Sequence, residues 1–187
     1  KPTDPRVTYL LERNFPFATH GRTEIQQQHA FADFDNHAFG TIGIEALARR
    51  GRKCVLVIAP PAHQNYGREI LDSTRLAAER LGLKRLVLQD VTSDSASNDI
   101  EISMRNALTA HPDIDGLFCA STTSTMVAVD VAETMGLRVG ETMDVFSKEA
   151  IPFLRRFRSG ILTVHEDVSS TGTSLAQAVM RAIETPK

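Results

Sequence analysis

The stretch KCVLVIAPPAHQNYGREILDSTRLAAERLG, residues 53–82, contains one complete strand, loop and helix unit. Its first part, residues 53–59, is an almost continuous apolar run, which is typical of a strand buried on both faces of a sheet. After a polar loop, apolar or small residues recur with the period of one helix face. These residues are Ile70, Thr74, Ala77, Ala78 and Leu81. Gly82 follows them, and because glycine commonly ends a helix, the stretch predicts a β–α unit of a parallel sheet.

The same alternation extends in both directions along the chain. Upstream we predict a short helix, two strand segments and a longer helix, at residues 6–13, 15–20, 29–35 and 38–50. Downstream we predict strands at residues 85–89, 116–120, 144–147 and 161–164, and helices that run up to 110 and over 125–135, 151–157 and 174–183. Regular alternation of this kind favours right-handed crossovers and a doubly wound α/β fold.

The composition is that of an ordinary globular protein, with 42% hydrophobic and 24% charged residues among 187 and a formal net charge of −2. A surface so balanced lacks the excess of Lys and Arg that binds a phosphate backbone, so we do not expect these residues to bind DNA themselves. Cys54 and Cys119 fall in apolar strands, which favours two buried thiols and a reducing compartment such as the cytoplasm. No apolar run reaches the roughly 18 residues of a membrane span, and no secretion leader is visible.

Motifs for the common enzymatic and metal-dependent chemistries are absent from the sequence. It contains neither of the glycine-rich nucleotide motifs, G-x-G-x-x-G and G-x-x-x-x-G-K-[ST], and neither H-E-x-x-H nor G-x-S-x-G. Asp33 and Asp35, two residues apart in a strand, could face one cleft, so a hydrolase or phosphotransferase that uses this pair stays an alternative. We otherwise expect no enzyme activity, no cofactor and no metal site.

Polar side chains collect where the predicted strands give way to helices. Asp35 either caps the helix at 38–50 or contacts a ligand, whereas a structural role is favoured for Asp33. The loop after residue 59 offers donors, acceptors and a ring, either as a turn or as part of a pocket: Gln64, Asn65, Tyr66 and Arg68. Two further strand ends carry Ser121 with Thr122, where helix capping is favoured, and Lys148 with Glu149. Because the set lacks a nucleophile with a base partner, it predicts a site that binds a small polar molecule.

Several runs, in this order and spacing, resemble the lactose- and galactose-repressor (LacI/GalR) family of bacterial transcription regulators. They are PFATHGR (16–22), FADFDNHAFGTIGIEALARRGRKCVLVIAPP (31–61), GRE (67–69), LFCASTTSTMVAVDVAETMGLRVG (117–140) and LTVHEDVSSTG (162–172). The resemblance covers nearly the whole chain. It implies a periplasmic-binding-protein-like type I fold, in which two doubly wound parallel-sheet lobes are joined by a three-stranded hinge.

The resemblance also implies how the chain is divided. Residues 1–36 and 165–187 are expected to lie around the hinge, as the remnant of the lobes and the segments that return to them. Residues 37–164 are expected to be mainly the C-terminal lobe. Family members begin with a helix-turn-helix head, a hinge helix and roughly two β–α units of the first lobe, none of which precedes Lys1. We therefore expect an incomplete first lobe, no DNA-binding head in this chain, and a piece of a longer regulator.

The family's ligand positions fall on particular residues of this sequence. Its aspartate after the first strand is replaced at Gly21, whereas Arg22 is kept. Its DN pair is matched by Asp35 and Asn36, and this aspartate commonly contacts the effector. The position of the family's clamping arginine is occupied here by Ile70, and its Asn–Asp pair is replaced by Ser121 and Thr122. Glu149 stands at a position that is usually aspartate in the family. The ligand-binding residues that the resemblance and the strand ends imply are Arg22, Asp35, Gln64, Asn65, Tyr66, Arg68, Ile70, Ser121 and Glu149.

The resemblance implies an effector-binding and dimerisation domain of a transcription regulator. A small polar, sugar-like effector would bind between two lobes and modulate how a head outside this chain binds operator DNA. A cytoplasmic homodimer without membrane contact is expected, because reading two half-sites requires two heads. The alternative with the same fold is an extracytoplasmic sugar-binding protein of a transport system, which an export leader would favour and a helix-turn-helix would exclude. An α/β hydrolase is the further alternative.

Overall fold

The computed structural model describes residues 2–184, and in them helices and strands alternate as the sequence predicts. The helices are α1 (Pro5–Glu12), α2 (Asn36–Arg49), α3 (Asn65–Leu81), α4 (Ser97–Ala110), α5 (Thr122–Thr134), α6 (Leu154–Phe157) and α7 (Val168–Glu184). The strands are β1 (Ala18–His20), β2 (Ala30–Ala32), β3 (Cys54–Ile58), β4 (Lys84–Val87), β5 (Gly116–Cys119), β6 (Asp144–Glu149) and β7 (Ile161–His165).

The strands form two parallel sheets in the described part of the chain. Five strands are arranged in the order β4-β3-β5-β6-β7, and β1 pairs with β2 separately. The register places Leu56 of β3 beside both Leu86 of β4 and Leu117 of β5. Parallel pairing throughout confirms the predicted α/β class, and it directs the carboxyl ends of all five strands to one edge of the sheet.

Both faces of the five-stranded sheet are buried. In β3, Cys54, Leu56 and Ile58 pack with residues of α4 and α5, whereas the alternate residues Val55 and Val57 pack with α2 and α3. Side chains alternate across a strand, so a strand with apolar residues at every position must be covered on both sides. The two helix layers supply that cover.

Several elements differ from their predicted bounds, among them β2, which was predicted over 29–35 and contains only Ala30–Ala32, and α6, which was predicted over 151–157 and contains only Leu154–Phe157. A strand was predicted over 15–20, but β1 contains only Ala18–His20. Helix α7 begins at Val168 rather than 174, because the Asp167 carboxylate accepts a hydrogen bond from the Ser170 amide at 2.8 Å and starts the helix within a polar run. A polar run without apolar periodicity resembles a loop, so the sequence pattern placed the start of this helix too late.

Helix α7 returns to the smaller sheet, where it contacts β1 and β2, and none of its residues is buried. The chain therefore leaves the five-stranded sheet after β7 and packs against the segment with which it began. The division into 1–36 with 165–187 and 37–164 stays a prediction. Residue 1 and residues 185–187, which belong to this predicted division, lie outside the described residues.

Candidate functional site

A cavity of about 730 Å³ lies between the N-terminal segment and the carboxyl-terminal edge of the five-stranded sheet. Its wall contains Asp4, Arg6, Val7, Leu10, residues 17–23, Asp33, Phe34, Asn36, residues 64–66, Lys148 and Glu166. This volume is within the range of small-molecule sites, and the position is where parallel α/β sheets bind ligands. Four residues with a sequence-predicted ligand role lie in this wall: Arg22, Gln64, Asn65 and Tyr66.

Hydrogen bonds connect the two sides of the cavity at Arg22. The Arg22 amide donates to Oδ2 of Asp33 at 2.9 Å, and the Arg22 carbonyl accepts from Nδ2 of Asn65 at 2.6 Å. Beside them, the exposed guanidinium of Arg68 forms an ion pair with Glu24 and also donates to Oδ1 of Asn65. The first turn of α3 is thus bonded to the segment that follows β1, and Arg68 lies beside the cavity rather than in its wall.

Tyr66 and Gln64 place polar groups on the α3 side of the wall. The Tyr66 hydroxyl donates to Oδ2 of Asp94 at 3.2 Å, and burial together with this carboxylate raises the pKa of Tyr66 to about 12. The phenol therefore stays protonated at neutral pH and offers a hydrogen bond rather than a charge. Gln64 precedes α3, and its amide nitrogen lies 3.3 Å from Nε2 of His63.

Two polar atoms in the cavity-lining residues are shielded from water and have no hydrogen-bond partner: Oδ1 of Asn36 and Oγ1 of Thr23. Asn36 is only 2% exposed, and its Nδ2 donates to the Phe34 carbonyl at 2.9 Å. A shielded polar atom without a partner costs about 1–3 kcal/mol, so such atoms are rare in proteins. Neither residue was predicted from the sequence to contact a ligand, although Asn36 belongs to the DN pair that the family resemblance pointed to.

Lys148 and Glu166 form an ion pair in the opposite wall. Nζ of Lys148 lies 2.8 Å from Oε2 of Glu166, and the two side chains are only 19% and 17% exposed. Nζ of Lys148 also lies 4.6 Å from the centre of the Phe34 ring. The pair is largely removed from water, where a charge requires its partner.

Asp35, by contrast, is not among the residues that line the cavity. Its exposed carboxylate accepts a hydrogen bond from the Ala38 amide at 2.8 Å and so caps the start of α2. This is the capping alternative that the sequence left open. Contact between Asp35 and a ligand stays a prediction, since Asp35 does not line the cavity.

Three further residues with a predicted ligand role also lie outside this wall. Ile70 is 0% exposed in the core between α2 and α3, so a guanidinium in its place would be buried without a partner. Ser121 caps α5 by accepting from the Ser124 amide at 3.1 Å. Glu149 is 5% exposed and accepts from the amides of Phe153 and Leu154 at 2.8 and 2.7 Å. In each case local packing or helix capping occupies the side chain.

Among residues 2–184, no group of three or more His, Cys, Asp or Glu side chains could hold a metal ion. Cys54 and Cys119 are free and buried, and burial raises their pKa values to about 11 and about 12, so both thiols are protonated at neutral pH. No helix in this part of the chain is both long and apolar enough to cross a membrane.

Two curated proteins resemble this chain in sequence. The HTH-type transcriptional regulator CelR of Thermobifida fusca is 25% identical over 186 residues, which are 96% of this chain and 54% of CelR. The ribose operon repressor of Halalkalibacterium halodurans is 22% identical over 149 residues, or 80% of this chain and 44% of that repressor. The chain thus spans about half the length of these relatives, which are named as regulators and not as enzymes.

Comparison of structures and of family profiles agrees with these relatives. The solved structure named as the transcriptional regulator CelR–cellobiose complex has a TM-score of 0.85 and 25% identity, over 97% of this chain and 56% of that chain. The profile of the periplasmic binding protein-like domain matches residues 44–187, which are more than half of the chain. The chain therefore belongs to the periplasmic binding protein-like domain family, in the form found as the effector-binding domain of LacI/GalR-type regulators.

Proposed function

We propose that this chain is the effector-binding and dimerisation part of a cytoplasmic transcription regulator that binds an uncharged, hydroxyl-rich molecule of the sugar type. The effector would bind in the 730 Å³ cavity between the N-terminal segment and the larger sheet. Contacts are proposed for Arg22, Gln64, Asn65 and Tyr66, and also for Thr23 and Asn36. Relatives named as a transcriptional regulator and a repressor support this class of function.

The observation that carries the proposal is the pair of partnerless polar atoms, Oδ1 of Asn36 and Oγ1 of Thr23, in cavity-lining residues. Their cost of about 1–3 kcal/mol each would be recovered if a small shift of the wall let a ligand hydroxyl reach them. Asn36 Oδ1 is an acceptor only, so it requires a ligand group that donates. Sugar hydroxyls both donate and accept.

The charges around the cavity favour a neutral ligand. Asp4 is paired with Arg6 at 2.6 Å and Lys148 with Glu166 at 2.8 Å, while Asp33 accepts from the Arg22 amide. A ligand charge that drew Lys148 or Glu166 away from its partner would leave a largely buried charge unpaired, which is costly. A polyhydroxyl ligand can bind beside them without that cost.

Regulation would follow from differential binding. A ligand that touches both the N-terminal segment and the first turn of α3 favours the arrangement in which the two are close, and so shifts the population of states. DNA-binding heads outside these residues would respond, because a net charge of −2 gives this chain no phosphate-binding excess of its own. Two heads at fixed separation require a dimer, which we therefore include in the proposal.

Thermal unfolding and calorimetry with cellobiose and a panel of neutral sugars test this proposal. Cellobiose is the first probe because a complex of CelR with cellobiose is known. At a concentration of 100 times the dissociation constant, a true ligand should stabilise the folded protein by about 2.7 kcal/mol. We expect Asn36→Ala to weaken binding about tenfold or more.

Asn106→Ala is the matched control, since Asn106 lies on the exposed face of α4, far along the chain from the cavity residues. It should leave the dissociation constant unchanged. If the folded protein gains no stability from any sugar in the panel, the proposal of a sugar-type effector is wrong. If charged analogues bind and neutral ones do not, the argument from paired charges is wrong.

A further inference from the structure

The orientation of the Asn36 side-chain amide is fixed by its neighbour Phe34. Nδ2 of Asn36 donates to the Phe34 carbonyl at 2.9 Å, and the side chain is shielded from water. Rotating the amide by half a turn would bring two carbonyl oxygens together at the same distance, so the reverse orientation is excluded. The position of the Phe34 carbonyl, which also accepts a hydrogen bond from the backbone amide of Asn36 at 2.8 Å, therefore determines which way Asn36 presents its oxygen.

The ring of Phe34 packs against the apolar core and lies below a cation. Nζ of Lys148 lies 4.6 Å from the Phe34 ring centre and 5.8 Å from that of Phe39, and the two rings pack edge to face with their centres 5.9 Å apart. A partly desolvated ammonium over an aromatic ring is attracted to the face of the ring and stabilises its position. Oε2 of Glu166 lies 2.8 Å from Nζ of Lys148, and this ion pair holds the ammonium beside the rings.

We infer that Lys148 is a positioning residue: held by Glu166, it fixes Phe34 and, through the Phe34 carbonyl, the orientation of the Asn36 amide in the cavity wall. This inference rests on the proposed function, in which Asn36 is the acceptor for the effector. It adds a specificity role for a residue beyond those proposed to contact ligand. It also connects the segment that enters α2 with the segment that leaves β7, because Phe34 and Glu166 lie on these two segments.

The side-chain amide signals of Asn36 in an NMR spectrum of the ligand-free protein test the inference directly. The signals are assigned by their loss in Asn36→Asp. In the unaltered chain we expect slow exchange of these amide hydrogens with solvent, since Asn36 is only 2% exposed. In Lys148→Met we expect the Asn36 signals to shift and to exchange about tenfold faster, because Phe34 loses its cation. Lys148→Arg keeps the charge and should preserve the slow exchange.

Lys84→Met is the matched control, because Lys84 forms a comparable ion pair with Asp113 at 2.7 Å but is half exposed and remote from the cavity wall. It should leave the Asn36 signals unchanged. Glu166→Gln provides a second variant if Lys148→Met does not fold, and it should accelerate exchange in the same direction. Unchanged Asn36 signals in a folded Lys148→Met or Glu166→Gln protein would overturn the inference. Since the measurement needs no sugar, its outcome is independent of whether cellobiose binds.

Discussion

Asp35 and Asn36 are neighbours with opposite environments. The Asp35 carboxylate is exposed and caps α2, whereas the Asn36 side chain is 2% exposed beside the cavity. Successive residues at a helix start are rotated by about 100° around the axis, so the side that faces the cavity depends on the rotation of the whole helix. The sequence predicted either a cap or a ligand contact at this junction; the cap is observed, and the ligand contact stays a prediction. It could not say which of the two adjacent residues faces inward.

Asp35→Ala is expected to lower the free energy of unfolding by about 1 kcal/mol, because the Ala38 amide loses its acceptor. Urea denaturation measures this loss, and Asp35→Ser, which keeps a capping oxygen, should retain most of the stability. Calorimetry with cellobiose on the same variant separates the two roles of Asp35. If Asp35 only caps α2, Asp35→Ala leaves the dissociation constant unchanged. If Asp35 also contacts the ligand, the dissociation constant of the variant is larger.

Glu149 should make the stability of the protein depend on pH in the acid range. Burial opposes the charge, but hydrogen bonds from the Leu154 and Phe153 amides dominate and lower the pKa of Glu149 below its ordinary value. A lowered pKa in the folded state adds stability above the ordinary pKa of about 4.3, and this contribution is lost as the pH falls below that value.

We therefore expect Glu149→Gln to be less stable than the unaltered protein at pH 7 by about 1 kcal/mol, because charge-assisted hydrogen bonds become neutral ones. The difference should shrink as the pH is lowered from about 5 to about 3. Urea unfolding of both proteins across this interval measures it. A difference that stays constant with pH would show that Glu149 acts through its shape alone.

At the scale of an element, α2 shows how close packing changes a face predicted from periodicity. The pattern in the sequence favours Phe39, Ile42, Gly43, Ala46 and Leu47 as the buried face. In the structure Ile42 is 42% exposed and Ile44 is fully buried instead. A Cβ at Gly43 would lie only 2.4 Å from the Phe118 ring and 2.6 Å from that of Phe146, so the helix backbone approaches two aromatic rings. This approach sets the rotation of α2, and it depends on residues far away in sequence.

Strand β6 begins at a buried charge that ties it to the end of α2. Asp144 is 0% exposed, and its carboxylate lies 2.6 Å from Arg52 and 3.2 Å from Arg50. Arg52 also donates to the carbonyls of Glu141 and Thr142. Because removal of Asp144 leaves Arg52 buried without its counter-charge, the cost should exceed that of an ordinary surface pair.

Asp144→Asn is expected to destabilise the protein by about 3–5 kcal/mol. Asp113→Asn is the matched control, since the Lys84–Asp113 pair is about half exposed and should cost about 1 kcal/mol or less. Urea unfolding of the two variants side by side gives the comparison. Equal losses would mean that the Asp144 cluster is no more than a surface ion pair.

For the whole molecule, the parts that the sequence predicted are those set by local pattern. Continuous apolar runs such as residues 54–58 indicated buried parallel strands, and glycines such as Gly82, at a φ of 68°, ended helices where expected. Of the cavity wall, the sequence predicted Gln64, Asn65 and Tyr66 on the α3 side and, through the family resemblance, Arg22 on the other side. That other side also includes Asp4 and Val7 of the N-terminal segment, which reach it through contacts between distant parts of the chain. Periodicity carries no information about such contacts.

The distribution of buried residues predicts unequal stability across the 187-residue chain. Both apolar cores belong to the five-stranded sheet and the helices α2–α6, whereas α7 has no buried residue and packs against the two-stranded sheet. Local opening is easiest where few apolar side chains are removed from water. We therefore expect amide hydrogens of α7, β1 and β2 to exchange with solvent at least about tenfold faster than those of β3 and β5.

Hydrogen exchange followed by mass spectrometry measures this difference, and the thiols provide an internal reference for the larger sheet. Cys54 and Cys119 lie in β3 and β5 and are 3% and 0% exposed, so they should react with a thiol reagent only when that sheet opens. Exchange in α7 should therefore precede thiol reaction in rising urea. If α7, β3 and both thiols respond at the same urea concentration, the small sheet and the large one unfold as a single cooperative unit, and the packing of α7 is stronger than its exposure indicates.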